Sequence, residues 1–204
     1  MVKTRAVVYL NGDKPIAFKP IQTDFLIGVD GGTKHITRLR LKPDIIIGDL
    51  DSLPRPPKGV PIIKYPRDKD QTDSELALNY ALKAGFKEII FVGFMGERLD
   101  HMISNLFLAA SAHVKISIFD QNQQLFFVHG PTRLDLVGKP GQLVSLIPIL
   151  GDCIVSASGF KWPLRRETLK FGRGRGISNV MTGKKATIKM IKGLLLVFQR
   201  GYDR

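Results

Sequence analysis

The spacing of apolar and polar residues changes once along the chain, near residue 125. Before that point, short runs of β-branched and aromatic residues alternate with stretches whose apolar positions have helical spacing. The pattern predicts strands at residues 6–10, 25–29, 45–48, 62–65, 88–93 and 114–119, and helices at residues 32–40, 72–84 and 98–112. Strands that alternate with helices favour an α/β domain, with a mainly parallel sheet and flanking helices.

Beyond residue 125 the chain consists of short apolar runs with glycine and proline between them. This pattern predicts strands at residues 125–128, 133–137, 142–148, 153–158, 186–191 and 193–199, and no amphipathic helix of useful length. Short strands with such frequent turn residues are typical of a β-sandwich or a small barrel. We therefore predict an α/β domain over residues 1–125 and an all-β sandwich over residues 126–204.

Two carboxylates follow the third predicted strand. Residues two apart in an extended backbone point to the same side, so we expect Asp49 and Asp51 to converge. Two carboxylates that close repel each other unless a cation lies between them, and Mg²⁺ prefers oxygen ligands and often binds with substrate phosphates. The alternative is a solvated acidic turn after a buried strand.

Polar clusters also follow the second and fifth predicted strands, at the sheet edge where parallel sheets bind ligands. The glycines of Asp30-Gly31-Gly32 would let a phosphate approach the backbone at the start of a helix, although a tight turn also explains them. In the second cluster, Arg98 suits phosphate oxygens, Asp100 suits a metal, and His101 is a candidate proton carrier or hydrogen-bonding group.

A third cluster lies at the start of the second predicted helix. Thr72 and Glu75 match a capping box, which explains both residues without any ligand. It does not explain why Lys69, Asp70 and Asp73 lie at the same sheet edge as the other clusters.

Taken together, these segments resemble the thiamine pyrophosphokinase family. That family carries an Asp-Gly-Gly turn, an Asp-Phe-Asp-Ser segment after a Pro-Asp strand, a Lys/Gln-Asp…Thr-Asp helix start and a Gly-x-x-Gly-x-Arg-x-Asp-His turn. The matching residues here are 30–32, 49–52, 69–73 and 93–101, in the same order. Residues 159–164 (Gly-Phe-Lys-Trp-Pro-Leu) and 176–179 (Gly-Ile-Ser-Asn) resemble the C-terminal signatures of the family.

The resemblance implies transfer of the β,γ-pyrophosphoryl group of ATP to the hydroxyethyl oxygen of thiamine, which gives thiamine diphosphate and AMP. It also implies a homodimer whose sites lie where domains of different subunits meet. The positions that match the carboxylates holding Mg²⁺ and ATP are Asp49, Asp51, Asp73 and Asp100. The resemblance further places Asp30, Gly31, Gly32, Lys69, Asp70, Thr72 and His101 at the ATP site, and Trp162, Ser178 and Asn179 at the thiamine site.

The chemistry of pyrophosphoryl transfer agrees with this set of residues. The reaction requires in-line positioning and charge neutralisation, which carboxylate-bound Mg²⁺ together with Arg98 and Lys69 would supply. Asp73 and Asp100 are both candidates to accept the alcohol proton. The only tryptophan, Trp162, is expected to stack on the pyrimidine or to face the thiazolium; the alternative is an anchor at the sandwich edge.

One residue departs from the family pattern. Family members commonly have glutamate after the Ser-Asn pair, whereas this chain has Val180. The difference leaves open a related enzyme, a pyrophosphokinase for another heterocyclic alcohol such as a hydroxymethylpterin.

The chain is strongly basic, with a formal net charge of +13 and a pI near 10.0. Nucleic acid, an anionic membrane surface or a polyanionic substrate are all compatible with this charge. The basic residues are scattered without a recognised nucleic-acid-binding motif, so nucleic-acid binding is disfavoured as the primary role. No apolar run approaches the ~20 residues that span a bilayer, and the single Cys153 cannot form an internal disulfide. A cytoplasmic enzyme without membrane contact is therefore expected.

Overall fold

Runs of β-branched and aromatic residues form the strands of the first part of the chain. In the computed structural model, which describes residues 3–14, 16–96 and 98–201, these strands are β1 (Arg5–Tyr9), β2 (Asp24–Val29), β3 (Ile45–Gly48), β4 (Ile62–Lys64), β5 (Glu88–Val92) and β6 (Lys115–Asp120). Their order is β6-β5-β1-β2-β3-β4, and every neighbouring pair is parallel. This is the pairing that the alternation of strands and helices predicts.

Among the described residues, three α-helices accompany these strands: α1 (Thr33–Arg38), α2 (Asp73–Lys83) and α3 (Leu99–Ser111). The predicted N-cap of α2 is observed, because the Thr72 hydroxyl accepts a hydrogen bond from the Glu75 backbone N–H. The first predicted helix is shorter than expected, since a 3₁₀ turn occupies Asp30–Gly32 and Arg40 has a φ of 58°. In the described residues, no helix is long and apolar enough to cross a membrane.

The chain divides into two compact units, Met1–Gln121 and Asn122–Arg204, where the sequence predicts a boundary after residue 125. The second unit contains β7 (Gln123–His129), β8 (Thr132–Val137), β9 (Leu143–Pro148), β10 (Cys153–Ser158), β11 (Leu164–Leu169), β12 (Asn179–Val180), β13 (Lys185–Lys192) and β14 (Leu194–Arg200). They pair antiparallel in the orders β12-β9-β14-β7 and β11-β10-β13-β8. Buried residues of both groups, such as Val144 and Ile188, form one core. An α/β unit followed by an all-β unit is therefore confirmed.

Two strands of the second unit, β11 and β12, are absent from the sequence prediction. In β11 the buried residues Leu164 and Leu169 lie five positions apart, an odd spacing that would place them on opposite faces of a regular strand. The pairing with β10 contains a bulge, because two residues of β11, Arg165 and Arg166, oppose the single residue Ser156 of β10. The extra residue brings both leucines into the core, so the expected alternation does not appear in the sequence.

A buried ion pair joins the amino ends of β1 and β2. Arg5 donates from Nε and Nη2 to the two carboxylate oxygens of Asp24, each at 2.8 Å. Asp24 is only 2% exposed, and its Oδ2 also accepts a hydrogen bond from the Ile21 backbone N–H. Two adjacent parallel strands are thus fixed in register at the edge opposite their carboxyl ends.

We expect Asp24→Ala to destabilise the first unit by about 3 kcal/mol, because it leaves a largely buried guanidinium without its partner. Urea unfolding measures this change. Asp135→Ala is the matched control, since it breaks the exposed pair with Arg133 and should leave the unfolding midpoint unchanged within error. Equal effects of the two substitutions would contradict a special contribution of the buried pair.

Candidate active site

A cleft of about 470 Å³ lies at the carboxyl ends of the parallel strands of the first unit. The chain runs from β1 outwards through β2, β3 and β4 and then returns to place β5 on the other side of β1. Such a reversal of strand order opens a crevice where α/β sheets bind ligands. The cleft is lined by residues 10–13 after β1, Val29 and Asp30, Asp49, Asp51 and Ser52 after β3, residues 72–74 at α2, Gly93, Phe94, Gly96 and Arg98 after β5, and His101, Met102 and Asn105 on α3.

Three carboxylates converge in this cleft. One oxygen from each of Asp30, Asp49 and Asp51 lies within 4.8 Å of the other two. Oδ2 of Asp30 accepts a hydrogen bond from the Ser52 backbone N–H at 3.2 Å, whereas its buried Oδ1 has no hydrogen-bond donor among the described residues. Hard cations such as Mg²⁺ take oxygen ligands of this kind, so the three carboxylates fit a magnesium site.

The pKa shifts reflect the crowding of these carboxylates. Burial raises the pKa of Asp30, and the neighbouring Asp51 carboxyl raises it further, while hydrogen bonds from Ser52 and Gly31 oppose the rise. The Ser52 hydroxyl, which donates to Asp51 at 2.9 Å, lowers the pKa of the more exposed Asp51. Keeping all three groups ionised therefore requires additional positive charge in the cleft.

The Asp49–Asp51 pair converges for a different reason from the one that the sequence suggested. Leu50 has a φ of 68°, so the segment is a tight turn and not extended backbone. The Asp51 backbone N–H donates to Asp49 Oδ1 at 3.1 Å, which closes the turn. Gly48 precedes it with a φ of 147°, and a Cβ there would lie 3.0 Å from Asp30 Cβ, so glycine lets the two acidic segments approach.

Lys69 supplies part of the positive charge. Its Nζ lies 3.0 Å from Asp73 Oδ1 and 3.7 Å from Asp49 Oδ2. Burial lowers the pKa of this ammonium, but hydrogen bonds and charge from Asp73 and Asp49 prevail and raise it. Lys69 does not line the cleft, so it neutralises Asp49 and Asp73 without occupying the cleft wall.

Asp100 lies apart from the three converging carboxylates. Both of its oxygens accept hydrogen bonds from Arg98, at 3.0 and 2.6 Å, and this pair holds the pKa of Asp100 well below its usual range. The Asp100 side chain is 65% exposed and does not line the cleft, whereas Arg98 does. Neither Asp100 nor Asp73 belongs to the group of three, and Asp30, which the sequence placed at the ATP site, does.

The remaining predicted ATP-site residues separate into two sets. Thr72 and His101 line the cleft, while the exposed Asp70 does not. Gly31 and Gly32 are buried, and a Cβ at Gly32 would lie 2.1 Å from the Tyr9 carbonyl oxygen. Close packing against the end of β1 therefore accounts for these glycines, as the tight-turn alternative held.

Several cleft residues were missed at the sequence level. Asn11, Gly12 and Asp13 follow β1 at the same sheet edge as the other clusters. Their position directly after a predicted strand could have identified them as cleft residues from the sequence. Buried His35 fixes this loop by donating from Nε2 to the Gly12 carbonyl oxygen at 2.9 Å. Asn105, one helical turn after His101, had no comparable signal.

Asp120, at the end of β6, supports the loop that carries Arg98. Its Oδ2 accepts a hydrogen bond from the Met95 backbone N–H at 2.7 Å, and the residue is 3% exposed. Burial raises the pKa of Asp120, against the opposing effect of backbone hydrogen bonds from Met95 and Phe94. This buried carboxylate holds the loop backbone and does not line the cleft.

A second pocket, of about 530 Å³, lies in the second unit between residues 161–164 and 175–179. Trp162 is 53% exposed in its wall, and Lys161 Nζ lies 4.9 Å from the centroid of the indole ring. A cation–π contact with Lys161 therefore covers one face of the ring. Exposed Ser178 also lines the pocket, with a φ of 58°.

Asn179 clamps the backbone of Trp162. Its Nδ2 donates to the Trp162 carbonyl oxygen at 2.7 Å, and its Oδ1 accepts from the backbone N–H groups of Trp162 and Val180 at 3.2 and 2.9 Å. Only 5% of Asn179 is exposed. These contacts show that its amide holds the Trp162 backbone. Asn179 also lines the pocket, so its place at the thiamine site stays a prediction.

Comparisons with known proteins agree with this two-part organisation. A model of the thiamin pyrophosphokinase catalytic domain matches residues 21–119, and a model of the thiamin pyrophosphokinase vitamin B1 binding domain matches residues 131–195. A thiamine pyrophosphokinase of Bacillus subtilis (strain 168) is 31% identical over 184 residues, which cover 85% of this chain and 86% of the relative.

Solved structures give the same result at the level of the fold. The crystal structure of thiamine pyrophosphokinase from Bacillus subtilis superposes with a TM-score of 0.85 at 24% identity, covering 98% of this chain and 100% of that one. The thiamin pyrophosphokinase from Geobacillus thermodenitrificans gives a TM-score of 0.80 at 26% identity, covering 96% of each chain. The fold and the sequence define a transferase of the kinase type. The chain belongs to the thiamine pyrophosphokinase family.

We expect Asn179→Asp to loosen Trp162, because a carboxylate oxygen would replace the Nδ2 donor and face the Trp162 carbonyl oxygen. The loss of this buried hydrogen bond should cost about 1–3 kcal/mol. Trp162 is the only tryptophan, so quenching of its fluorescence by acrylamide reports on this pocket alone, and quenching should increase. Ser178→Ala is the control and should leave acrylamide quenching unchanged. Unchanged quenching in Asn179→Asp would show that the Asn179 amide does not hold Trp162.

Proposed function

We propose that this chain transfers the pyrophosphoryl group of ATP to the hydroxyl of thiamine, with ATP in the cleft of the first unit and thiamine recognised by the pocket of the second. The observation that carries the proposal is the group of three converging carboxylates in the cleft. It lies within the part of the chain that matches the family's catalytic domain, while the Trp162 pocket lies within the part that matches the vitamin B1 binding domain.

Asp30, Asp49 and Asp51 would hold Mg²⁺. The buried Asp30 Oδ1 without a donor and the mutual proximity of the three carboxylates support this assignment. Bound there, Mg²⁺ would neutralise negative charge on the phosphate oxygens of ATP. Lys69 contributes one further positive charge through its contacts with Asp49 and Asp73.

The side chains around the carboxylates have separable roles in the proposed reaction. Arg98 uses Nε and Nη2 to hold Asp100, and we assign its Nη1 to the phosphate oxygens. The thiamine hydroxyl oxygen bonds to the β-phosphorus of ATP, the bond from the β-phosphorus to the oxygen bridging to the α-phosphate breaks, and AMP leaves.

The hydroxyl proton passes to a carboxylate, for which Asp73 and Asp100 were both candidates. We favour Asp73, because it lines the cleft. Asp100 does not line the cleft, and both of its oxygens are held by Arg98.

On the thiamine side, Trp162 offers the indole face that Lys161 leaves uncovered, and Ser178 offers a hydroxyl. Asn179 acts through Trp162 as a positioning residue. Trp162 and Ile177 are 53% and 46% exposed at this pocket, which supports a homodimer in which a second subunit covers them.

The pterin alternative depended on Val180, and the position of that residue argues for thiamine. Val180 lies in β12, where its backbone N–H donates to Asn179 Oδ1 and its carbonyl oxygen accepts from Lys161 N. Its side chain does not line the pocket, so replacing the family glutamate leaves the pocket wall unaltered.

The proposed function is tested by incubating the purified protein with ATP, Mg²⁺ and either thiamine or a hydroxymethylpterin, and by following AMP and the diphosphate product. We expect thiamine diphosphate and AMP in equal amounts, and no product without Mg²⁺. Conversion of the pterin alcohol but not of thiamine would refute the substrate assignment.

Asp51→Asn should lower kcat by roughly a thousandfold and raise the Mg²⁺ concentration needed for half-maximal rate, because it removes one of three converging carboxylates. Asp100→Asn is the matched substitution outside the group of three. It should raise KM for ATP by releasing Arg98, with an unchanged Mg²⁺ requirement. Initial rates over a Mg²⁺ series distinguish the two, and a raised Mg²⁺ requirement in Asp100→Asn would place Asp100 in the metal site.

A further inference from the structure

The positive charge of the chain is concentrated in its second unit. Residues 122–204 contain 14 lysine and arginine residues against 4 aspartate and glutamate residues, a net charge of +10 out of +13 for the whole chain. The acidic cleft is in the first unit, so attraction of substrate to that cleft does not explain where this charge lies.

Part of this charge lies on one face of the sheet β11-β10-β13-β8. In β13, Ala186, Ile188 and Met190 face the core, so the alternating Lys185 and Lys189 point away from it. We call this side the outer face; its polar residues are Arg133 and Asp135 on β8, Lys185, Thr187 and Lys189 on β13, Ser156 and Ser158 on β10, and Arg165 and Arg166 at the bulge of β11.

The cations of the outer face lie in two rows, one across the strands and one along β13. Lys189 pairs with Arg133 on one side and with Ser156 on the other, and the Arg166 backbone N–H donates to Ser156 Oγ at 2.9 Å. A basic row therefore crosses all four strands, over about 14 Å at normal strand spacing. Along β13, Lys185 and Lys189 are four residues apart, about 13 Å in an extended strand.

Little negative charge opposes these cations. Asp135 is the carboxylate of the outer face, and Arg133 already holds it through contacts at 2.9 and 3.0 Å. Within the described part of the chain, no salt bridge joins Lys185, Lys189 or Arg166 to a carboxylate. All three side chains are exposed. These like charges repel one another. A polyanion that contacts several of them at once relieves this repulsion and is therefore bound favourably.

The side chains of the outer face favour one class of polyanion over others. Lysine, arginine and hydroxyl side chains in rows are the groups that contact nucleic-acid phosphates. Among its described residues, the face carries no aromatic side chain on which single-stranded bases would stack. Its apolar residues are Ile154 and Ile191, which are half-buried, and Val137, which is 63% exposed. One exposed valine offers little apolar surface to insert into a bilayer.

We propose that the outer face binds the phosphate backbone of duplex nucleic acid, independently of sequence and separately from the catalytic cleft. The test is fluorescence anisotropy of a labelled random-sequence DNA duplex titrated with the full-length protein over a series of NaCl concentrations. Lys185→Glu/Lys189→Glu should raise Kd roughly tenfold and reduce the magnitude of the log Kd against log salt slope by about two.

Lys19→Glu/Lys87→Glu is the matched control, since it exchanges two exposed lysines of the first unit and lowers the net charge equally. It should leave Kd and slope close to wild type, and both double variants should keep their turnover of thiamine. Equal loss of binding in the two variants would assign binding to net charge and overturn the proposal. Binding of anionic phosphatidylserine vesicles through Lys185 and Lys189, without duplex binding, would also overturn it.

Discussion

The mutual repulsion of Asp30, Asp49 and Asp51 is the constraint around which the first unit is organised. One oxygen of each lies within 4.8 Å of the others, and Asp30 is almost fully buried. Such a group is stable only with compensating positive charge, which Lys69 supplies in part through its contact with Asp49. The buried ion pair of Arg5 and Asp24, at the amino ends of β1 and β2, fixes the register of these two strands. The parallel pairing of β2 with β3 then brings Asp30, which follows β2, to the same sheet edge as Asp49 and Asp51, which follow β3.

Local backbone geometry shows how the chain accommodates this crowding. Asp30 and Leu50 have φ values of 43° and 68°, conformations that cost non-glycine residues free energy and persist where the surrounding structure enforces them. The second unit positions its aromatic residue differently, through the buried Asn179 amide that brackets the Trp162 backbone on both sides. The first unit thus positions its carboxylates through strained turns at Asp30 and Leu50. The second unit positions the Trp162 indole through hydrogen bonds between the Asn179 amide and the Trp162 backbone.

Periodicity was sufficient to predict most of the fold. The β-branched runs predict the six parallel strands, and the Thr72–Glu75 pair predicts where α2 begins. Strand β11 could not be predicted, because its bulge breaks the alternation of Leu164 and Leu169. In the site, the sequence identified the acidic clusters but not their grouping. The backbone turn at Leu50 and the side-chain pair of Arg98 with Asp100 determine which carboxylates converge, and residue spacing encodes neither.

The central claim is that Asp30, Asp49 and Asp51, and not Asp73 or Asp100, form the metal site. Titration with Mn²⁺ in place of Mg²⁺, followed by electron paramagnetic resonance with a non-hydrolysable ATP analogue present, tests it most directly. Asparagine tolerates the backbone conformation of Asp30, so Asp30→Asn preserves the turn. The structure predicts that this variant binds Mn²⁺ at least about tenfold more weakly than wild type, while Asp73→Asn retains Mn²⁺ binding. Normal Mn²⁺ affinity in Asp30→Asn together with lost affinity in Asp73→Asn would contradict the assignment.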